Sequence, residues 1–328
     1  MVRAPRTYLV TGGAGFIGSH LAEALLVRGD RVRILDNFST GRRENLKTVS
    51  GLELLEGDIR EVETCARAAA GCSGIFHQAA LGSVPRSVSD PATTFAVNLT
   101  GTLNVFLAGR ANGCERVVYA SSSSVYGSDA TLPKTEERIG QPLSPYAASK
   151  RSGELLAQAF AHCYGTTMVG LRYFNVYGPR QDPDSPYAAV IPLFFKAALS
   201  GQPATVFGDG EQTRDFTYVA DVVEANLAAM DSPLPGGSSL ILNIGAGRRT
   251  TVNDLWKAVA DAAGYEGPPV HAPARAGDVR DSLADLRLAA ERIGYTPRVG
   301  IGEGLGKAFA YYRGVAAGAA GTDPSSAR

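Results

Sequence analysis

The chain has 328 residues, of which 45% are hydrophobic and 20% charged, and its 32 basic and 32 acidic side chains leave no formal net charge. These proportions fit a globular protein of one large domain or two, and the balanced charge argues against binding to nucleic acid or membrane surfaces. No apolar run approaches the ~20 residues of a membrane helix, and the N-terminus has no signal-peptide core. Cys65, Cys72, Cys114 and Cys163 are too scattered for a metal motif and are expected to be buried free thiols of a reduced, cytoplasmic, metal-free protein.

Short apolar runs that resemble buried strands alternate with helical segments along the chain. The predicted strands are residues 8–11, 31–36, 52–57, 74–79, 116–121 and 167–172. The predicted helices are residues 17–28, 93–112, 145–164, 190–200, 219–230 and 251–263. Because repeated βα units of this length call for a parallel, doubly wound sheet, the fold class is expected to be α/β.

The segment TGGAGFIGSH joins the first predicted strand to the first predicted helix. Gly13, Gly15 and Gly18 fit a G-x-G-x-x-G spacing, and Gly12 with the last two fits G-x-x-G-x-x-G. Glycines here let the backbone turn tightly and approach a pyrophosphate at the helix N-terminus. Asp36 ends the next strand, where a carboxylate accepts ribose hydroxyls and repels a 2′-phosphate. The motif predicts dinucleotide binding, with NAD favoured over NADP.

The character of the sequence changes after about Asn175, where Gly- and Pro-rich loops separate the helices. We expect residues 1–175 to form a Rossmann-like NAD-binding domain, to which a later segment, about 217–245, returns. Residues 176–314 are expected to form mainly a smaller C-terminal α/β substrate lobe, with loops that face the carboxyl ends of the strands. Residues 315–328 are small and polar and are expected to be disordered.

The segment SPYAASK places Tyr146 one helical turn before Lys150, so both side chains project from one helix face. A free tyrosine has a pKa of about 10, so a tyrosine base needs favourable positive charge, which Lys150 and the nicotinamide ring would supply. The serine run at residues 121–124 follows a predicted strand, and one of its hydroxyls could bridge the phenolate and a substrate hydroxyl. The alternative is that Tyr146 and Lys150 are only two partly exposed neighbours on a helix and that the serines form a turn.

These motifs resemble those of the extended short-chain dehydrogenases/reductases, in the nucleotide-sugar epimerase/dehydratase family. The resemblance runs from about Thr7 to Tyr312, through TGGAGFIG, LDNFSTG, GDIR, HQAA, SSSSVYG, SPYAASK, LRYFNVYGPR, GDGEQTRDF and NIGAG. It implies a UDP-sugar 4-epimerase that holds NAD tightly and regenerates it in each turnover. It also implies a homodimer formed through helices 93–112 and 145–164. The implied catalytic residues are Ser122, Tyr146 and Lys150.

The resemblance further implies two sets of binding residues. Those for the cofactor are Gly12, Gly15, Phe16, Ile17, Gly18, Asp36, Asn37, Asp58, Ile59, Gln78, Ala79, Ala80, Tyr146, Lys150 and Tyr173. Those for the substrate are Gly82, Ser122, Ser123, Tyr146, Asn175, Ala189, Val190, Phe207, Arg214, Arg275, Asp278 and Ser282. Arg214 and Arg275 would bind the diphosphate and Asp278 the ribose, although each arginine alone also fits a surface position. Asp58 would meet the adenine or lie in a surface loop.

The serine segment also discriminates among the reactions of this family. Family dehydratases carry an Asp-Glu pair directly after the catalytic hydroxyl, and family decarboxylases usually carry Glu at the second of these two positions. This chain has Ser123 and Ser124 there. Without a second proton-transfer pair, the site is expected to oxidise a carbinol and reduce the ketone again. The hypothesis is that Tyr146 takes the proton of the sugar 4-hydroxyl through or beside Ser122. Hydride leaves C4, and it returns to the opposite face of the 4-keto sugar.

Small residues are expected at the wall of the sugar pocket. In the family, the position of Ser282 is a tyrosine in glucose-restricted epimerases and small in those that accept N-acetylated sugars. Gly82 and Ala189 replace a lysine and an asparagine of glucose-restricted relatives. The resemblance therefore favours a UDP-N-acetylglucosamine 4-epimerase of polysaccharide biosynthesis with some UDP-glucose activity, unless Ser282 is only a small loop residue. The alternatives are a glucose-preferring epimerase, a UDP-glucuronate 4-epimerase and, remotely, a non-catalytic dinucleotide sensor.

Overall fold

Strands and helices alternate along the chain in the computed structural model, which describes residues 4–47, 49–185, 188–274 and 279–320. The strands are β1 Thr7–Thr11, β2 Arg31–Asp36, β3 Leu52–Glu56, β4 Gly74–His77, β5 Arg116–Ser122, β6 Thr167–Tyr173, β7 Val176–Tyr177, β8 Thr205–Phe207, β9 Thr213–Arg214, β10 Thr217–Tyr218, β11 Ser239–Ile244, β12 Thr250–Thr251 and β13 Val270–Ala272. The α-helices are α1 Phe16–Val27, α2 Val62–Ala69, α3 Val84–Ser89, α4 Pro91–Phe95, α5 Thr102–Ala111, α6 Pro145–Tyr164, α7 Val190–Leu199, α8 Val219–Asp231, α9 Val252–Ala263, α10 Arg287–Ile293 and α11 Ile301–Ala320.

Seven strands form one parallel sheet in the order β3-β2-β1-β4-β5-β6-β11. Every residue of β4 and β6 is buried, which explains why these strands read as continuous apolar runs. The strand order reverses between β1 and β4, and in such sheets this switch point opens a crevice at the carboxyl ends of the strands. The predicted Rossmann-like, doubly wound α/β fold is confirmed.

Helices cover both faces of the sheet and bury its side chains. On one face, Leu21 and Leu25 of α1 and Val222 of α8 pack with Tyr8 in one apolar cluster. On the other face, α2, α5 and α6 contribute a second cluster, in which the ring of Phe106 lies 5.6 Å from that of Phe160. The helices cover the two faces of the sheet and leave the carboxyl ends of the strands open.

A third apolar cluster lies in the second half of the chain. It brings together Phe194 and Phe195 of α7, Trp256 of α9 and Leu305 of α11. Two-residue and three-residue strand pairs, β7 with β10, β9 with β12 and β8 with β13, form around it. In sequence, β11 lies between β10 and β12, and it belongs to the large sheet, where it pairs with β6.

Three local features differ from the sequence-based expectations. The predicted helix 93–112 is interrupted by a π-helical stretch at Ala96–Gly101, between α4 and α5. Cys163 is exposed on the last turn of α6, whereas the other three cysteines are buried as expected. Helix α11 continues to Ala320, so the disorder expected from residue 315 is wrong for residues 315–320, where alanine favours helix; residues 321–328 lie outside the described part.

Among the described residues, no helix combines the length and apolar character needed to cross a membrane.

A buried carboxylate between β9 and β10 holds the loop that follows the carboxyl end of β11. Asp215, between β9 and β10, has no exposed surface. Its oxygens accept hydrogen bonds from the backbone N–H groups of Ala246 (2.7 Å), Gly247 (3.1 Å) and Ala284 (3.0 Å). One side chain therefore satisfies three donors from two loops that follow β11 and precede α10.

We expect Asp215→Ala to lower the free energy of unfolding by about 3 kcal/mol or more, because the buried N–H of Ala284 and the part-buried N–H groups of Ala246 and Gly247 would lose their acceptor. Urea denaturation followed by circular dichroism measures the change. Asp209→Ala is the matched control, since the Asp209 carboxylate makes exposed contacts, an ion pair with Arg280 and a hydrogen bond from Glu211 N at 3.0 Å, and its loss should leave the midpoint nearly unchanged. Equal midpoints for the two variants would contradict the role assigned to Asp215.

Candidate active site

A cleft of about 860 Å³ lies at the carboxyl ends of the parallel strands. Every residue suggested by the sequence for cofactor binding lines it, from Gly12 in the turn after β1 to Tyr173 at the end of β6. The parallel sheet explains this meeting, because residues that are distant in sequence follow neighbouring strand ends. The cleft continues to residues 181–182, 184–185 and 188–189 of the loop before α7.

The turn between β1 and α1 is shaped by glycine. Gly12 has a φ of +68°, and a Cβ there would lie 2.7 Å from backbone atoms of Ala79. A Cβ on Gly18 would lie 2.2 Å from the carbonyl oxygen of Gly12. Helix α1 then begins after Gly15 without a side-chain cap, so its first N–H groups point toward the cleft with no side chain bonded to them. This arrangement fits a pyrophosphate at the helix N-terminus.

Asp36 is held at the end of β2 by backbone donors. Its carboxylate accepts hydrogen bonds from the N–H groups of Ala14 (2.9 Å) and Phe38 (2.8 Å). Burial raises the pKa of Asp36, and these two hydrogen bonds offset part of the rise. A carboxylate has about four acceptor positions, so two remain for the hydroxyls of a ribose. The residues present therefore fit the adenosine half of NAD.

Asp58 also lines the cleft, beside Asn37. Its carboxylate accepts a hydrogen bond from Asn37 Nδ2 at 2.8 Å and pairs with Arg60 at 2.7 Å. The hydrogen bonds from Arg60 lower the pKa of Asp58 to about 2, although burial opposes the change. Asp58 thus presents a fixed negative charge in the cleft.

Tyr146 and Lys150 lie on the first turns of α6, and both line the cleft. The helix starts there because Ser144 caps it, accepting from Ala147 N at 3.1 Å, and Pro145 occupies the first turn. Lys150 Nζ donates at 2.9 Å to the carbonyl oxygen of Ala120, which lies in β5 directly before the serine run. Helix α6 and the end of β5 are thereby joined at the catalytic candidates.

Ser122 stands at the centre of a small hydroxyl network. It forms a hydrogen bond with the phenol of Tyr146. Its hydroxyl oxygen also accepts from Ser124 N at 3.2 Å and from Ser124 Oγ at 2.9 Å. Three groups suited to proton transfer, Ser122, Tyr146 and Lys150, therefore face one cavity.

The protein environment disfavours the charged forms of Tyr146 and Lys150. Tyr146 keeps part of its surface open to the cleft, but desolvation raises its pKa, and the hydrogen bond with Ser122 lowers it only in part. Burial lowers the pKa of Lys150 to about 8, against the favourable charge of Glu154. The sequence-based argument relied on Lys150 to lower the pKa of Tyr146; in the protein alone, desolvation raises that pKa, and it is the hydroxyl of Ser122 that opposes the rise. An ionised tyrosine therefore depends on the positive charge that bound oxidised cofactor adds.

The expected substrate residues divide into three groups. Gly82, Ser122, Ser123, Tyr146, Asn175 and Ala189 line the cleft. Val190, Phe207, Arg214 and Ser282 are not among its lining residues. Arg275 and Asp278 lie outside the described residues.

The four residues away from the cleft belong to the second half of the chain. Val190 begins α7 directly after Ala189, and Phe207 ends β8. Arg214 Nη1 donates to the carbonyl oxygens of Thr213 (2.9 Å) and Arg280 (3.2 Å). The backbone N–H of Ser282 donates to the same oxygen of Thr213 at 3.2 Å. Arg214 and Ser282 are thus neighbours around β9.

Sequence reasoning missed two residues directly behind the site. Glu154 follows Lys150 by one turn of α6 and has no exposed surface, and Arg172 of β6 is 1% exposed. They form a two-pronged ion pair with distances of 2.8 and 2.9 Å. The available signal was the four-residue spacing of Tyr146, Lys150 and Glu154, which places all three near one helix face.

Comparisons with known proteins agree with this architecture. Residues 8–245 match the model of the NAD dependent epimerase/dehydratase family. The UDP-glucose 4-epimerase of Mycolicibacterium smegmatis is 40% identical over 310 residues, which cover 93% of this chain and 98% of that protein.

Two solved structures have the same fold. The UDP-N-acetylglucosamine 4-epimerase of Methanobrevibacter ruminantium, in complex with UDP-N-acetylmuramic acid, superposes with a TM-score of 0.90 at 36% identity, covering 95% of this chain and 100% of that chain. The UDP-glucose 4-epimerase of Thermus thermophilus, in complex with NAD, gives 0.84 at 39% identity, with 94% and 99% covered. The chain therefore belongs to the NAD dependent epimerase/dehydratase family and is an NAD-dependent isomerase.

Proposed function

We propose that this protein is a UDP-hexose 4-epimerase whose preferred substrates are UDP-N-acetylglucosamine and UDP-N-acetylgalactosamine, with some activity on UDP-glucose and UDP-galactose. The observation that carries the proposal is the meeting of Ser122, Tyr146 and Lys150 in the cleft that the glycine turn and Asp36 also line. Similarity to relatives named as 4-epimerases of UDP-sugars supports the reaction type.

The chain's own residues have distinct roles in this reaction. When bound, NAD supplies the hydride acceptor for oxidation of the sugar C4 and the hydride donor for the reduction that follows. Tyr146 accepts the proton of the 4-hydroxyl, with Ser122 hydrogen-bonded to its phenol and placed to relay or share that proton. Lys150 holds positive charge beside them. Because Ser123 and Ser124 replace the acidic pair of the dehydratases, the site lacks there the extra acid and base of an elimination, and the 4-keto sugar is reduced again.

The preference for N-acetylated sugars rests on small residues. Gly82 and Ala189 line the cleft, and a Cβ added to Gly82 would have no other heavy atom within 4 Å. This open space favours a bulky substituent at C2 of the sugar. The named relatives do not decide the preference, because those called UDP-glucose and UDP-N-acetylglucosamine 4-epimerases are 40% and 36% identical to the chain. A glucose-preferring or UDP-glucuronate 4-epimerase is the second candidate, and separate incubation with the three UDP-sugars and chromatography of the products distinguishes them.

We expect Tyr146→Phe to lower kcat by about 10²–10⁴-fold, because the phenol that accepts the proton is removed. The protein should still contain NAD, measured by chromatography after denaturation, since the ring of residue 146 still lines the cleft. Tyr164→Phe, at the exposed end of the same helix, is the control and should keep normal turnover. Near-normal activity of Tyr146→Phe would exclude this residue as the base.

Ser282 does not line the cleft described above, and it is the resemblance to the family that places it at the sugar wall. On that placement we expect Ser282→Tyr to lower kcat/KM for UDP-N-acetylglucosamine by about tenfold or more and to spare UDP-glucose, because a ring would fill the space that an acetamido group needs. Steady-state kinetics with both substrates measures the ratio. Ser50→Tyr, in the exposed loop before β3, is the matched control and should change neither value. An equal loss on both substrates would contradict the role of Ser282 as a gate.

We propose that the protein forms a homodimer through α5 and α6. Leu107 of α5 and Leu155 of α6 expose 37% and 51% of their surfaces, although both are large and apolar. We expect Leu155→Glu to weaken the dimer, because a charge in a buried interface would lose its hydration. Sedimentation of the native and variant proteins over a range of concentrations measures the change, and a monomeric native protein would contradict the proposal.

A further inference from the structure

A buried carboxylate lies directly behind Lys150 and has no part in the chemistry described so far. Glu154 accepts hydrogen bonds from four groups on three elements. They are Ser121 Oγ of β5 (2.6 Å), Arg172 Nε (2.8 Å) and Nη2 (2.9 Å) of β6, and Arg151 Nη1 of α6 (2.8 Å). Its side chain has no exposed surface, and it does not line the cleft.

These donors keep Glu154 ionised. Burial alone would favour the neutral acid, but the hydrogen bonds and charge of Arg172 lower the pKa of Glu154 below its ordinary value. Arg172 is itself fixed, since Nη1 donates to Tyr126 Oη at 3.0 Å and to the carbonyl oxygen of Glu136 at 2.9 Å. The protein therefore maintains a negative charge at a fixed point one helical turn from Lys150.

Lys150 needs such a charge, because its other neighbours do not supply one. Burial lowers the pKa of Lys150 to about 8, and the charge of Glu154 opposes that loss. His77 of β4 is buried and neutral, with its pKa lowered to about 3, and it bonds Thr11 and Thr102. Among the residues that the structure describes, the other titratable or charged groups around Glu154 and Lys150 are Tyr146 and Arg151 on α6, Tyr119 on β5 and Arg172 on β6.

The same carboxylate also fixes the end of β5. Ser121, which donates to Glu154, lies between Ala120 and Ser122. Ala120 is the residue whose carbonyl oxygen accepts from Lys150, and Ser122 is bonded to Tyr146. A shift of α6 along β5 would therefore break contacts of Glu154 and Lys150 together.

We propose that Glu154 is a positioning residue for the reaction: its buried carboxylate keeps Lys150 as an ammonium ion and holds helix α6 in register with the serine run at the end of β5. The inference rests on the proposed function, in which a charged Lys150 favours the phenolate of Tyr146. Glu154 acts through Lys150 and Ser121 and touches neither cofactor nor substrate.

The test is Glu154→Gln in the NAD-loaded protein, because glutamine keeps the shape and removes the charge. We expect the alkaline limb of the kcat profile, where Lys150 loses its proton, to move about one pH unit or more toward lower pH, a tenfold change in the ratio of protonated to deprotonated Lys150 at a given pH. Nuclear magnetic resonance of lysine labelled with ¹³C at Cε reads the same titration directly. The Lys150 signal is assigned by its loss in Lys150→Arg.

Two further variants separate charge from structure. Arg151→Gln removes a neighbour of Glu154 but keeps the carboxylate, so the Lys150 titration should not move to lower pH. If Glu154→Gln fails to fold because Arg172 is left buried and unpaired, the double variant Glu154→Gln/Arg172→Met removes the ion pair as a unit and should still lower the titration.

Each outcome decides one proposal. An unchanged Lys150 titration in a folded variant without the Glu154 charge overturns the positioning role, even if the native enzyme epimerises UDP-sugars. Absence of epimerase activity in the native protein overturns the proposed function instead, and the nuclear magnetic resonance titration still reports on Glu154. A lowered titration together with a shifted alkaline limb supports both.

Discussion

The ion pair between Glu154 and Arg172 is the constraint on which the geometry of the site depends. Removing two charges from water costs several kcal/mol per ion, so the pair is tolerable only with good geometry and further hydrogen bonds. The fold supplies both, through the two-pronged contact and the bonds to Ser121 and Tyr126. Since one partner belongs to α6 and the other to β6, neither element can shift without leaving a buried charge unpaired, and a shift of β5 would break the hydrogen bond from Ser121. Tyr146 and Lys150 lie on the same helix as Glu154, so the ion pair also fixes their positions.

Much of the fold could be predicted from the sequence, because its signals are local. Strands buried on both faces are continuous apolar runs, and five of the six predicted strands end within one residue of those observed; β4 ends at His77, two residues early. Helix α6 was predicted with its observed bounds, since Ser144 and Pro145 mark its start and Gly165, in the left-handed conformation, its end. The meeting of the glycine turn, Asp36 and Tyr146 in one cleft follows from the parallel order of the strands.

The remaining features depend on contacts between distant residues. The partner of Glu154 lies 18 residues away on another element, so no local pattern identifies it. The direction of the pKa shift of Tyr146 depends on how much protein surrounds the phenol, which spacing does not reveal. The π-helical stretch at Ala96–Gly101 lies where α4, α5 and α6 meet, and no proline or glycine pattern marks its beginning. Likewise, Ser282 and Arg214 were assigned by resemblance, and their neighbourhood around β9 became visible only in the fold.

The late return of the chain to its central sheet has a consequence for synthesis on the ribosome. Strand β6 is fully buried between β5 and β11 in the finished protein, yet roughly 65 residues separate it from β11. At a translation rate of about 5–20 residues per second, the nascent β6 waits several seconds with one unpaired edge. An apolar strand edge of this kind readily pairs with other chains, so chaperones that shield nascent polypeptides matter most while residues 174–238 are being made.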